Sequence, residues 1–336
     1  MDIGNSLLDI GYLYNQFIKT MKINIIDRPS LKFDPEKYLM DDGLRNAVEV
    51  AIALNQPLLL TGEPGTGKTR LADKVAHELA KDKSKFDFAP EPLIFNTKSS
   101  SAARDLFYTY DAVSHFAAAN LRRDISQRPP TAVEYLELQA LGLAIARTNP
   151  SAVDALLVST DSYCDKPHSS VVLIDEIDKA PRDFPNDLLF EIERQECLIK
   201  ELENYPLRRE QGQRIVVILT SNSEKNLPDA FLRRCVFYHI PFPDKEQLIA
   251  IAKTQVGGFT RFTEKVLDEL VTKFNAIRDN SVRKAPATAE LLAWLQVLDL
   301  QDYVSSSEDR RKEIALQNLS LLVKTREDME AVRKLF

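Results

Sequence analysis

Apolar and polar positions follow two periods along this chain, and the change of period divides it. Over residues 43–54 the apolar side chains Leu44, Val48, Ala51 and Ile52 recur at helical spacing, which predicts an amphipathic helix. Pro57-Leu58-Leu59-Leu60-Thr61 then reads as a short buried strand closed by a glycine-rich turn. Leu71, Val75 and Leu79 follow four apart, on one face of the next helix. Leu93-Ile94-Phe95 and the runs 171–174 and 215–219 predict three further strands. Between the second and third strands, residues 100–168 read as mainly helical, broken at Pro129-Pro130 and at Pro150. Short β-rich runs separated by helices predict an α/β fold, a parallel sheet covered on both faces.

Beyond Pro241-Phe242-Pro243 the pattern is helical throughout. Val266, Leu267, Leu270, Val271, Phe274 and Ile277 form one stripe; Leu291, Leu292, Leu295 and Leu298, with Trp294 alongside, form another. Ser307, after Ser305 and Ser306, is a candidate helix cap. The expected organisation is an N-terminal extension over 1–40, an α/β domain over 41–242 and an all-helical domain over 243–336.

Composition narrows the picture. The chain has 336 residues, 44% of them hydrophobic and 28% charged, enough for a large and a smaller core. No apolar run is long enough to span a bilayer, and the opening Met1-Asp2 lacks the basic and apolar regions of a signal peptide, so a cytoplasmic protein is expected. Cys164, Cys197 and Cys235 make no CxxC pair, and the four histidines lie far apart; free thiols and no zinc site are expected. A net charge of −6 argues against nonspecific nucleic-acid binding, which needs a basic excess, although Arg122-Arg123 is a local basic cluster.

The most informative stretch is residues 62–69, GEPGTGKT, which satisfies G-x-x-x-x-G-K-[ST]. Gly62, Gly65 and Gly67 let the backbone wrap phosphates with its N–H groups inward. Lys68 would reach the β- and γ-phosphates, and the Thr69 hydroxyl would join a Mg²⁺ shell. Chance matches arise in about a few per thousand chains of this length. An apolar strand before the loop and an amphipathic helix after it favour the phosphate reading. The candidate nucleotide-binding run is Gly62, Glu63, Pro64, Gly65, Thr66, Gly67, Lys68, Thr69 and Arg70.

A second stretch, Val171-Val172-Leu173-Ile174-Asp175-Glu176, is an apolar strand ending in two acids. Carboxylates are costly to bury unpaired, so both should face a polar cleft at the C-terminal ends of the strands. Asp175 would hold Mg²⁺ and Glu176 would act as general base on the attacking water. The plainer alternative is a pair of acids capping a neighbouring helix.

With these two motifs in place the chain resembles the AAA+ ATPases, from about residue 40 to the C-terminus. That resemblance implies a P-loop NTPase fold, with a parallel sheet flanked by helices and a helical lid, and ATP with Mg²⁺ as ligands. Leu219-Thr220-Ser221-Asn222 matches the sensor-1 position, making Asn222 a candidate to orient the lytic water; otherwise it is a turn asparagine. Asp229-Ala230-Phe231-Leu232-Arg233-Arg234-Cys235 resembles the arginine-finger segment, with Arg234 first and Arg233 second as the finger. Without the resemblance these are surface charges at a helix C-terminus.

Within AAA+, Asp175-Glu176-Ile177-Asp178-Lys179-Ala180-Pro181, Asn186-Asp187-Leu188-Leu189, His239-Ile240-Pro241-Phe242-Pro243 and Lys324-Thr325-Arg326-Glu327-Asp328 resemble the MoxR-like group. This implies a homo-oligomeric ring, hexameric by family expectation, and a protein client, with a von Willebrand A-domain protein as a partner. The family's insertion would occupy 112–168. One departure concerns the sensor-2 arginine, for which Arg283 and Lys284, just before Pro286, are the candidates. Two readings of Phe107 and Tyr108 stand side by side: residues lining a ring's channel, or core residues. Two other functions are a nucleotide-gated scaffold with little turnover and a DNA-directed motor; Glu176 counts against the first and the acidic balance against the second.

Overall fold

The computed structural model describes residues 33–83, 85–121, 128–153, 166–224, 227–255, 262–281 and 283–335. The chain enters through α1 (Asp42–Leu54), whose Asp41 cap accepts a hydrogen bond from the Leu44 N–H at 2.7 Å. It turns at Asn55 in the left-handed region, φ 54°, into β1 (Leu58–Gly62). Next come α2 (Lys68–Lys81) and β2 (Leu93–Asn96). A short antiparallel pair follows, β3 (Tyr108–Tyr110) with β4 (Leu136–Leu138), enclosing α3 (Ala112–Leu121). Then come α4 (Ala140–Thr148), β5 (Ser170–Asp175) and α5 (Phe184–Arg194). A hairpin of β6 (Glu196–Ile199) and β7 (Tyr205–Arg208) leads to β8 (Ile215–Thr220), α6 (Asp229–Leu232) and β9 (Val236–Ile240).

The main sheet has five strands, all parallel, in the order β2-β5-β8-β1-β9. Burial follows from that order. The three inner strands are covered on both faces, and β1 and β8 are buried at every position. The edge strand β2 alternates half-buried and exposed residues. Successive residues feed opposite cores: Leu58, Leu60, Val171 and Leu173 pack with Leu44 and Leu71, while Leu59, Val172, Ile174 and Leu219 pack with Leu141 and Leu188. The fold is thus a P-loop-type sheet flanked by helices on both sides.

The C-terminal region is helical, as its periodicity requires: α7 (Lys245–Gln255), α8 (Glu264–Asn280), α9 (Thr288–Leu300), α10 (Glu308–Gln317) and α11 (Arg326–Val332). They enclose a third core around Leu270, Phe274, Trp294 and Leu298. Ser307 sits at the N-cap of α10 but its side chain makes no capping hydrogen bond.

The structure bears on three expectations. Among the described residues of 100–168, α3, α4 and short 3₁₀ turns accompany the β3–β4 pair, which the helical pattern does not predict. Phe107 and Tyr108 are 2% and 1% exposed and belong to the core beside Leu141, so they line no channel in this chain. Strands β6, β7 and β9 add to the four that the apolar runs predict. Most of the expected 1–40 extension, together with Arg122, Arg123 and Cys164, lies outside the described residues. Among those described, no helix is long and apolar enough to cross a membrane.

Candidate functional site

The strand order reverses around β1: the chain crosses to the far edge at β2, returns through β5 and β8, then adds β9 on the other side. Such a switch point leaves a crevice at the C-terminal ends of the inner strands. Gly62, Asp175 and Thr220 end the three strands that meet there.

The loop after β1 takes the backbone form that its glycines permit. Gly62 has φ 146°, and a Cβ there would lie 2.5 Å from the Ile240 carbonyl oxygen on β9. Gly65 has φ 77°, and its missing Cβ leaves room for Ala287, whose Cβ would otherwise be 2.9 Å away. Thr66 braces the turn by donating its hydroxyl to the Glu63 carbonyl at 2.9 Å. Glu63, Pro64 and Gly65 are exposed. Arg70 also points outward and pairs with Asp73 at 3.3 Å.

Lys68 opens α2 and is only 7% exposed. Its Nζ donates to the carbonyls of Gly62 at 2.7 Å and Glu63 at 3.0 Å, and to Asn222 Oδ1 at 3.1 Å. Burial lowers the pKa of this ammonium, partly offset by Asp178, Asp175, Glu176 and Glu63. Thr69, one residue on, donates its hydroxyl to both oxygens of Asp175, at 3.1 and 3.2 Å. Asp175 Oδ1 also accepts from the Thr220 hydroxyl at 2.5 Å, and that same oxygen of Thr220 accepts the Glu176 N–H at 2.8 Å. Glu176 is held at φ 54°, an uncommon conformation for a side-chain-bearing residue and one that recurs at functional sites. Its carboxylate is paired with Lys179.

These contacts suit the groups that the sequence implies. A glycine turn at a helix N-terminus, with an ammonium inside it, fits a polyphosphate. The Thr69 hydroxyl and Asp175 carboxylate are hard oxygen donors of the type that Mg²⁺ takes. Asn222 lies just beyond β8, bonded to Lys68, with its N–H on Asp178 at 3.3 Å.

Arg234 and Arg233 follow α6 and are both exposed; Arg234 Nε pairs with Glu193 Oε1 at 3.1 Å. Arg283 and Lys284 are tied to α11. Arg283 pairs with Glu327 at 2.6 Å, and the backbone N–H groups of both residues are bound by Asp328, which is completely buried. Arg278, on the last turn of α8, brings a cation from the helical region to the loop, with Nη2 2.5 Å from Glu63 Oε2. Sequence spacing does not single out Arg278 or Thr220. Thr220 had one signal, a hydroxyl at the end of an otherwise apolar strand.

A family model described as the ATPase family associated with various cellular activities (AAA) matches residues 58–243. Among solved structures the chain is similar to RuvB T158V of Thermotoga maritima, at 15% identity and a TM-score of 0.42, covering 85% of this chain and 69% of that one. It is also similar to the FIGL-1 AAA domain in complex with ADP, at 16% identity and a TM-score of 0.44, covering 95% of each chain. A search of curated proteins returns no match.

Proposed function

The chain belongs to the AAA family of ATPases, and from that premise we propose that it is a MoxR-like member that hydrolyses ATP at the interfaces of a homo-oligomeric ring and uses the cycle to remodel a protein client. The supporting observation is the convergence at the C-terminal ends of the inner strands of Lys68, Thr69, Asp175, Glu176 and Asn222 through the hydrogen bonds of Lys68, Thr69 and Thr220.

In this reading the N–H groups of the loop and the Lys68 ammonium bind the β- and γ-phosphates. Thr69 and Asp175 hold Mg²⁺, which when bound offsets phosphate charge. Glu176 takes the proton of the attacking water, so Lys179 must release it. Asn222 orients that water. Arg234 leaves Glu193 on assembly and enters the neighbouring subunit's site, where it stabilises charge developing on the transferred phosphoryl group. The 41–242 and 243–336 segments act as nucleotide domain and lid, in a hexamer in the cytoplasm, with a von Willebrand A-domain protein as partner.

The test is ATP turnover per subunit against protein concentration for wild type, Glu176→Gln and Arg234→Ala. Specific activity is expected to rise with concentration, and each variant to lose roughly a hundredfold or more. Mixing the two variants should restore part of the activity, because one subunit's base then meets another's arginine. Turnover that ignores both concentration and Arg234 would refute the shared site.

A further inference from the structure

Arg278 reaches the phosphate loop from the helical region with three contacts. Its Nη2 pairs with Glu63, its Nη1 donates to the Pro286 carbonyl at 2.7 Å, and its guanidinium carbon lies 3.5 Å from the centre of the Phe242 ring. The side chain is 16% exposed, whereas that of Glu63 is 51% exposed. One planar cation therefore ties together the second residue of the phosphate loop, the segment leaving β9 and the turn entering α9. Beside it Ala287 fits into the space left by the missing side chain of Gly65.

The charge arrangement gives this contact a purpose. Glu63 places a carboxylate in a loop shaped for a polyanion, and an uncompensated negative charge there would repel phosphate. Arg278 cancels that charge and uses the same pair to hold α8 and α9 on the loop. Aromatic stacking and the bond to Pro286 restrict the guanidinium, so less freedom is lost in forming the pair.

We infer that Arg278 is a positioning residue for nucleotide binding: through Glu63 it neutralises the loop carboxylate and holds the lid in the geometry that receives the nucleotide. This rests on the ATP reading above and assigns the lid contact to Arg278 instead of Arg283 or Lys284. A residue that pre-forms the site acts on ground and transition states alike, so its loss should raise KM more than it lowers kcat.

The experiment uses the full chain with ATP turnover and hydrogen exchange as readouts. Glu63→Gln, at a half-exposed position, is expected to raise KM about tenfold, by more than it lowers kcat. Arg278→Gln should raise KM further, because the acid then stands alone. Adding Glu63→Gln to Arg278→Gln should recover part of that loss, since the repelling charge is gone. Without nucleotide, Glu63→Gln should also speed amide exchange in the peptide spanning 283–290 about tenfold. An unchanged KM in Glu63→Gln, or effects of the two substitutions that simply multiply, would overturn the inference even if Arg278→Gln fails to fold. If the wild type itself shows no turnover, the ATP reading fails, and unchanged exchange in Glu63→Gln would then overturn the lid contact separately.

Discussion

The Thr220 hydroxyl holds two groups with one oxygen, donating to Asp175 and accepting the N–H of Glu176. The residue is fully buried, while Asp175 and Glu176 are half-buried beside it. Thr220→Val keeps the shape and removes the oxygen. It should cost about 1–3 kcal/mol of stability, read as a lower urea midpoint, and should depress turnover by freeing the left-handed Glu176 backbone. Thr220→Ser should restore most of both; wild-type stability in Thr220→Val would refute the bridging role. The placement of Lys68, Thr69, Asp175 and Glu176 together at the crevice is legible in the sequence because short fixed spacings tie them to the ends of apolar strands. That of Thr220 and Arg278 is not, because their partners come from distant segments: Thr220 meets Asp175 across 45 positions and Arg278 meets Glu63 across 215.

Elements were legible to the degree that one force determined them. The inner strands β1, β5 and β8 are continuous apolar runs because both faces are covered, and the helical stripes of α8 and α9 follow their 3.6-residue period. β3 and β4 have three residues each and mix polar with apolar positions, so their pattern carries no period that could outweigh the helical one around them. What fixes that pair is tertiary contact, which also buries Phe107 and Tyr108. α4 passes so close to this segment that a Cβ on Gly142 would lie 1.9 Å from the Phe107 carbonyl oxygen. Because the obstacle is backbone, no rotamer change relieves it. Gly142→Ala is therefore expected to destabilise the fold by about 1–3 kcal/mol or more, despite the better helix propensity of alanine. Thermal melting of the purified variant tests this, and an unchanged or raised Tm would mean that α4 can move away at little cost.

At the scale of the whole molecule the apolar residues separate into cores that share no members. Two lie on the faces of the sheet, and the third, with Phe274 and Trp294, lies among the C-terminal helices. The chain's single tryptophan is fully buried in that third core, so its fluorescence reports the helical region selectively. Phe274→Ala would open a cavity there at a cost of about 3–5 kcal/mol. If the regions hold together mainly through the Arg278–Glu63 pair and the Ala287–Gly65 contact, this loss should stay local. The Trp294 transition in urea should move to lower concentration, while amide exchange in peptides spanning 171–175 and 215–220 stays as slow as in the wild type. Equal loss of protection in those strands would show that sheet and helices unfold as one cooperative unit. Local loss is the outcome that the proposed lid motion requires, since a region that shifted during each cycle would have to change its contacts without loosening the sheet that carries Asp175 and Thr220.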